Sequence, residues 1–123
     1  MNKDPLTSKI IGCAIEVHKE LGPGLLERTY LQCFAHEMKL NGIEFIMECA
    51  LPVKYKGFQL DCGYRIDLLV ENKVIVELKA VETIHDIYRA QLLTYMKLTN
   101  ISTGLLMNFN EERLKDGIQR FKL

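Results

Sequence analysis

Apolar positions recur every three or four residues over the first 40 residues and every two residues beyond, so helices should come first and strands after. Ile10, Ile11, Ala14, Val17, His18 and Leu21 follow helical spacing. Asp4 or Thr7 is a candidate cap, Pro5 suits the first turn, and Gly22-Pro23-Gly24 ends the run. A second helix is predicted from about Leu25 to Leu40, with Leu26, Tyr30, Phe34 and Met38 at spacing four and Asn41-Gly42 closing it. A strand is predicted from Ile43 to Tyr55, where Ile43, Phe45, Met47 and Cys49 alternate with Glu44, Ile46 and Glu48. Pro52, late in that run, predicts a bulge or an edge position, because it lacks the amide a ladder needs. Lys54, Lys56 and Gly57 predict a turn into a strand beginning near Phe58.

The segment from Gly63 to Lys79 reads as a β-hairpin. Ile66, Leu68 and Val70 alternate with Arg65, Asp67 and Leu69; Val74, Val76 and Leu78 alternate with Ile75, Glu77 and Lys79. A three-residue loop, Glu71 to Lys73, sets Val70 against Val74, Leu69 against Ile75 and Asp67 against Glu77. A two-residue loop would set Asp67 against Leu78, on the other face. The three-residue register clusters the polar groups and segregates the apolar ones, so it is the one expected.

After Ala80-Val81-Glu82 a third helix is predicted from about Thr83 to Leu98, with Ile84, Ile87, Tyr88, Leu92, Tyr95 and Met96 as its apolar positions. Thr103 to Phe109 reads as an apolar strand, 110–116 as a polar linker with room for one helical turn, and Ile118 to Leu123 as a last short strand. The predicted order is α-α-β-β-β-α-β-β. A helix between the third and fourth strands allows a parallel crossover, which makes this an α/β fold with a mixed sheet flanked by helices.

Composition bounds the function classes. With 123 residues the chain is one domain, 1–123, with room for a single sizeable core. Sixteen basic and sixteen acidic residues cancel, so bulk charge gives no support to nucleic-acid binding and any basic surface must be local. No apolar run approaches the ~20 residues that span a bilayer, and Met-Asn-Lys-Asp-Pro is no leader peptide, so no membrane partner and a cytoplasmic location are expected. Cys13, Cys33, Cys49 and Cys62 lack a C-x-x-C pair and read as buried or half-buried thiols of a reducing compartment.

The candidate chemistry sits in the hairpin. Glu77 and Lys79 share a strand face, and the expected register brings Asp67 to them. Carboxylates inside a domain are costly unless paired or bound to a metal. Two hard oxygen ligands with an ammonium beside them outline a site for Mg²⁺ or Mn²⁺. A plain alternative is a structural salt-bridge cluster in which Lys79 neutralises Glu77.

Asp67, nine intervening residues and then Glu77-Leu78-Lys79 resemble the motif of the PD-(D/E)XK nuclease superfamily, which is RecB-like and restriction-endonuclease-like. Gly22-Pro23-Gly24-Leu25-Leu26-Glu27-Arg28-Thr29-Tyr30 resembles the segment that names the GxxExxY protein family within it, and Gln91 with Tyr95 adds a downstream pair. The resemblance spans about residues 7 to 123. It implies a restriction-endonuclease-like fold and Mg²⁺- or Mn²⁺-dependent hydrolysis of phosphodiester bonds, in DNA rather than RNA. On that reading Asp67 and Glu77 are direct metal ligands and the Leu78 backbone carbonyl is a further one. Lys79 orients the attacking water and stabilises developing charge. Glu27 reaches across to the hairpin as a ligand, directly or through water; its plain alternative is a first-turn glutamate favoured by the helix dipole. Gln91 and Tyr95 flank the metal in the family; alternatively they are a half-exposed glutamine and a core tyrosine. Tyr30 is expected to pack and to make a hydrogen bond. His18 is either a satisfied helix histidine or a proton-handling group near the site. Lys54, Lys56 and Arg89 serve either phosphates or solvent. Some relatives hold an iron–sulfur cluster with C-terminal cysteines; with none after Cys62, no such cluster is expected. The rival to a nuclease is a catalytically silent module of this fold that binds nucleic acid or a partner protein. So small a domain is expected to act as a homodimer or with a partner protein.

Overall fold

The computed structural model describes residues 4–123; Met1, Asn2 and Lys3, part of the polar N-terminal segment, lie outside it. The helices are α1 (Pro5–Leu21), α2 (Glu27–Leu40) and α3 (Asp86–Thr99). The strands are β1 (Phe45–Ala50), β2 (Val53–Tyr55), β3 (Phe58–Leu60), β4 (Arg65–Val70), β5 (Val74–Lys79), β6 (Thr103–Asn108) and β7 (Ile118–Lys122). One turn of 3₁₀ helix, Leu114–Gly117, precedes β7.

Asp4 caps α1: its Oδ2 accepts from the Thr7 amide (3.1 Å) and from the Thr7 hydroxyl (2.6 Å). Gly22, at φ +68°, ends the helix in a backbone region that favours glycine. The predicted strand over 43–55 breaks at Leu51-Pro52. Leu51 turns into the core, its amide donates to the Tyr64 carbonyl (3.0 Å), and the chain leaves the main sheet as the separate β2–β3 hairpin.

The main sheet has the order β1-β4-β5-β6-β7, antiparallel throughout except for the β5–β6 pair, which α3 bridges as a crossover. With the small hairpin set aside, the order is the predicted α-α-β-β-β-α-β-β, an α/β fold with a mixed sheet. The β4–β5 loop is the three-residue one: Val70 pairs with Val74, Leu69 with Ile75 and Leu68 with Val76.

Two apolar layers enclose the sheet. On one face α1 and α2 pack Ile10, Ala14, Tyr30, Phe34 and Met38 against Leu68, Val70, Val76, Leu78, Leu105 and Phe109. On the other, α3 packs Leu92, Tyr95 and Met96 against Ile66, Leu69, Ile75 and Leu106. The alternation of β1 and β4 reverses midway. Phe45 and Met47 face α1 and α2, but Cys49 faces α3; Leu68 and Val70 face α1 and α2, but Ile66 faces α3. The reversals fall at Glu48 and Asp67, which stand opposite each other between the pairs Met47↔Leu68 and Cys49↔Ile66. Glu48 has φ +53°, uncommon for a non-glycine residue, and that backbone turn accounts for the reversal in β1. The strict alternation expected over 65–70 is therefore corrected here.

α3 begins at Asp86 rather than near Thr83. Asn108 at the end of β6 is the reason. Its Nδ2 donates to the Val81 carbonyl (2.9 Å) and its Oδ1 accepts from the Val81 amide (3.1 Å), which holds the chain extended past Lys79. All four cysteines are free, and Cys62 is exposed rather than buried as expected. No helix among the described residues is long and apolar enough to cross a membrane.

Candidate active site

β4 and β5 pair regularly as far as Leu68 and Val76, and the ladder stops where Asp67 faces Glu77. Side chains take over the backbone's role there. The Asp67 amide donates to Glu77 Oε2 (2.8 Å), and the Leu78 amide donates to Asp67 Oδ2 (2.9 Å). Each carboxylate thus accepts from an amide of the opposite strand, and the pair is fixed face to face. Among the described residues, Oδ1 of Asp67 and Oε1 of Glu77 accept no hydrogen bond.

Electrostatics mark the same pair. Glu77 is 6% exposed. Burial first, and then the Asp67 charge, push its carboxyl up to about 8. Asp67 is pushed up to about 6 by burial, partly offset by the Leu78 amide and raised again by Glu27 and Glu48. Lys79 lowers both, and Glu27 raises both. A buried and a half-buried carboxyl that resist joint ionisation form a donor set that a hard divalent cation would satisfy. The residues present fit such an ion.

Glu27 opens α2, and its charge acts on both carboxyls. It does not complete a preformed set with them: among the described residues no three Asp, Glu, His or Cys side chains are arranged to hold a metal ion. Lys79 lies less close than expected. Its Nζ sits 4.6 Å from the centre of the Tyr88 ring in a cation–π contact, and the ion pairs among the described residues are Arg65–Asp61 (3.6 Å) and Arg89–Asp86 (2.7 Å). No direct ion pair joins Lys79 to Glu77 among the described residues, although the Lys79 charge still acts on both carboxyls.

Tyr95 is buried on α3, its phenol raised by burial and then by the charges of Glu77, Tyr64 and Asp67, with Gln91 acting the other way. The charges of the carboxyl pair thus reach Tyr95, and Gln91 acts on Tyr95 rather than on the pair itself. Tyr30 is engaged elsewhere. It is fully buried, its ring stacks on Phe109 (4.8 Å between centres), and its hydroxyl donates to the Gly22 carbonyl and accepts from the Leu25 amide (3.1 Å). That contact ties the Gly22–Leu26 turn to α2 and so holds the start of the helix that carries Glu27. His18 is likewise removed from the pair: its Nε2 donates to the Glu111 carbonyl (2.8 Å), a satisfied buried histidine. Arg89 is engaged by Gln119 (2.8 Å) and Asp86. The cleft lined by His18, Lys19 and Arg113 contains none of the site side chains.

Sequence reasoning missed Glu48 and Tyr88. Glu48 is placed opposite Asp67 by β1 pairing, which local alternation does not reveal. Tyr88 is visible only as a helix apolar position until α3 is seen to pack over β5.

No curated protein and no solved structure shows significant similarity to the chain. The family model of the PD-(D/E)XK nuclease superfamily matches residues 4–121, nearly the whole chain. Nucleases of this superfamily act on nucleic acid and generally use divalent metals such as Mg²⁺. The mixed sheet and flanking helices agree with the restriction-endonuclease-like architecture, the motif carboxylates face each other across its broken ladder, and the chain belongs to the PD-(D/E)XK nuclease superfamily.

Proposed function

We propose that the protein is a metal-dependent nuclease that hydrolyses phosphodiester bonds in DNA, and that it belongs with the GxxExxY proteins of its superfamily. The observation that carries this reading is the face-to-face pair Asp67 and Glu77, held by each other's strand amides. These two would hold Mg²⁺ or Mn²⁺, with the Leu78 backbone carbonyl as a further ligand and Glu27 reaching the ion through water. A divalent cation bound there relieves charge on the phosphoryl oxygens and makes a coordinated water more acidic. The chain's own residues do the rest. Lys79 leaves the Tyr88 ring to meet the negative charge that builds on the phosphate and to orient the attacking water. Tyr95, with Gln91 acting on it, would help to fix the position of the bound strand.

The rival module that binds without cutting is favoured by the zero net charge and by the lack, among the described residues, of three Asp, Glu, His or Cys side chains already arranged around one point. One experiment separates the two. Single-stranded, nicked and branched DNA, and RNA, are incubated with the protein and Mg²⁺ or Mn²⁺, then with EDTA. Cleavage of DNA should depend on metal and fall by at least about 100-fold in Asp67→Asn and in Lys79→Ala, the order seen when one transition-state contact is removed. Equal cleavage by both folded variants would refute the assignment, and DNA binding without cleavage would establish the silent module.

A further inference from the structure

The β2–β3 hairpin carries an exposed aromatic pair, Tyr55 and Phe58. Lys56 and Gly57, both at positive φ (+47° and +82°), form its two-residue turn, the type that suits a tight ribbon. Tyr55 and Phe58 flank the turn and are register partners, so their rings share one face. Val53 and Leu60, the next pair, extend that face. Tyr55 is 61% exposed and Phe58 62% exposed. Rings so open contribute little to holding the fold.

Charge separates the possible occupants. Between Leu51 and Leu60 the charged residues are Lys54 and Lys56, both basic, in a chain whose total charge is zero. Lys54 pairs with Gln59 on the opposite face of the ribbon, and the Lys56 ammonium lies 5.4 Å from the centre of the Tyr55 ring. Paired rings with one ammonium beside them, Lys56, and a second, Lys54, on the reverse face suit a strand whose bases are unstacked and whose phosphates run past the ribbon. Every base has a face to stack, and lysine needs only a phosphate. A duplex keeps its bases stacked on each other and offers the rings nothing. The aromatic face holds a single polar side-chain atom, the Tyr55 hydroxyl, so its contacts to a strand would be made chiefly by the ring faces.

Position joins the ribbon to the carboxyl pair. The Leu51 amide is bonded to the Tyr64 carbonyl at its base, the Tyr64 ring meets Tyr95 edge-on (6.3 Å), and Tyr95 packs in one core layer with Ile66, the neighbour of Asp67. We infer that the β2–β3 hairpin binds an unpaired DNA strand, with bases stacked on Tyr55 and Phe58 and phosphates met by Lys54 and Lys56, and delivers it to Asp67 and Glu77. The delivery half of this inference rests on the nuclease reading; the binding half does not.

Fluorescence anisotropy in EDTA, where cutting is stopped, tests it with labelled oligo(dT), the oligo(dT)·oligo(dA) duplex and oligo(U). The full chain should prefer the single DNA strand. The double variant Tyr55→Ala/Phe58→Ala should bind it at least about ten-fold more weakly, since one stacked base is worth ~1–3 kcal/mol and tenfold is ~1.4 kcal/mol. Its melting temperature should stay that of the wild type. Lys54→Ala/Lys56→Ala should reduce the slope of log affinity against log salt by about 1.4, at ~0.7 per phosphate neutralised on a single strand. Unchanged binding by the aromatic variant, a preference for duplex or for oligo(U), or no binding by the wild type would each overturn the inference. So would sedimentation showing a wild-type dimer that the aromatic variant dissolves, since the face would then join two copies. Cleavage by wild type and aromatic variant alike, with equal binding, would sink the hairpin's role and leave the nuclease standing. Binding that depends on the rings, without cleavage under any metal, would do the reverse.

Discussion

Replacing Glu77 by glutamine should make the metal-free protein more stable at neutral pH, although it removes a buried, hydrogen-bonded group. The amide keeps an oxygen to accept the Asp67 amide and discards the charge. Burial and the Asp67 charge raise the Glu77 carboxyl from 4.5 to about 8. A folded chain that binds a proton more tightly than the unfolded chain loses stability as pH rises between those two values. For this group the loss begins near pH 4.5 and is complete above about pH 8. At pH 7 it amounts to about 3 kcal/mol as a ceiling, at ~1.4 kcal/mol per pH unit. Solvent reaching the half-buried Asp67 screens part of it, and ~1–3 kcal/mol is the expected reading. For a domain of this size 1 kcal/mol moves the melting temperature by about 4 °C. Thermal melts in EDTA between about pH 5 and pH 8 should therefore show wild type losing ~4–12 °C more than Glu77→Gln. The comparison between two chains cancels titrating groups remote from the pair, such as Asp4, whose carboxyl is lowered by Thr7. Parallel melting curves would refute the account of the site as two carboxyls in conflict.

Asn108→Ala should cost about 2–3 kcal/mol in urea denaturation, because the Val81 amide and carbonyl and the Asn110 amide all lose their partner. A loss under about 1 kcal/mol would show that water replaces the side chain. Tyr30→Phe keeps the stack on Phe109 and removes the hydroxyl between Gly22 and Leu25, so it should cost ~1–2 kcal/mol and speed hydrogen exchange at the Leu25 amide. Unchanged exchange there would mean the turn is held by other contacts.

Much of this was legible in the chain because short-range rules governed it. The Asp4 cap, the Gly22 stop and the Glu71–Lys73 loop are local, and the loop's odd length alone brings Asp67 opposite Glu77. Three features were not legible, each for a long-range reason. Pro52 signalled trouble in its strand, but the break depends on Leu51 finding a place beneath α3. The late start of α3 depends on Asn108, 27 residues beyond Val81. The position of Lys79 depends on Tyr88, which offers its ring where the sequence suggested a carboxylate.

The borrowed hydrogen bonds between β4 and β5 also constrain how this protein can drift. A descendant that lost its chemistry would still need something at 67 and 77 to receive the two amides. Asparagine or glutamine would keep an acceptor for each amide, whereas alanine or leucine would leave both without one. Retired lineages should therefore carry polar, uncharged residues at these positions as a lasting imprint of the ancestral pair.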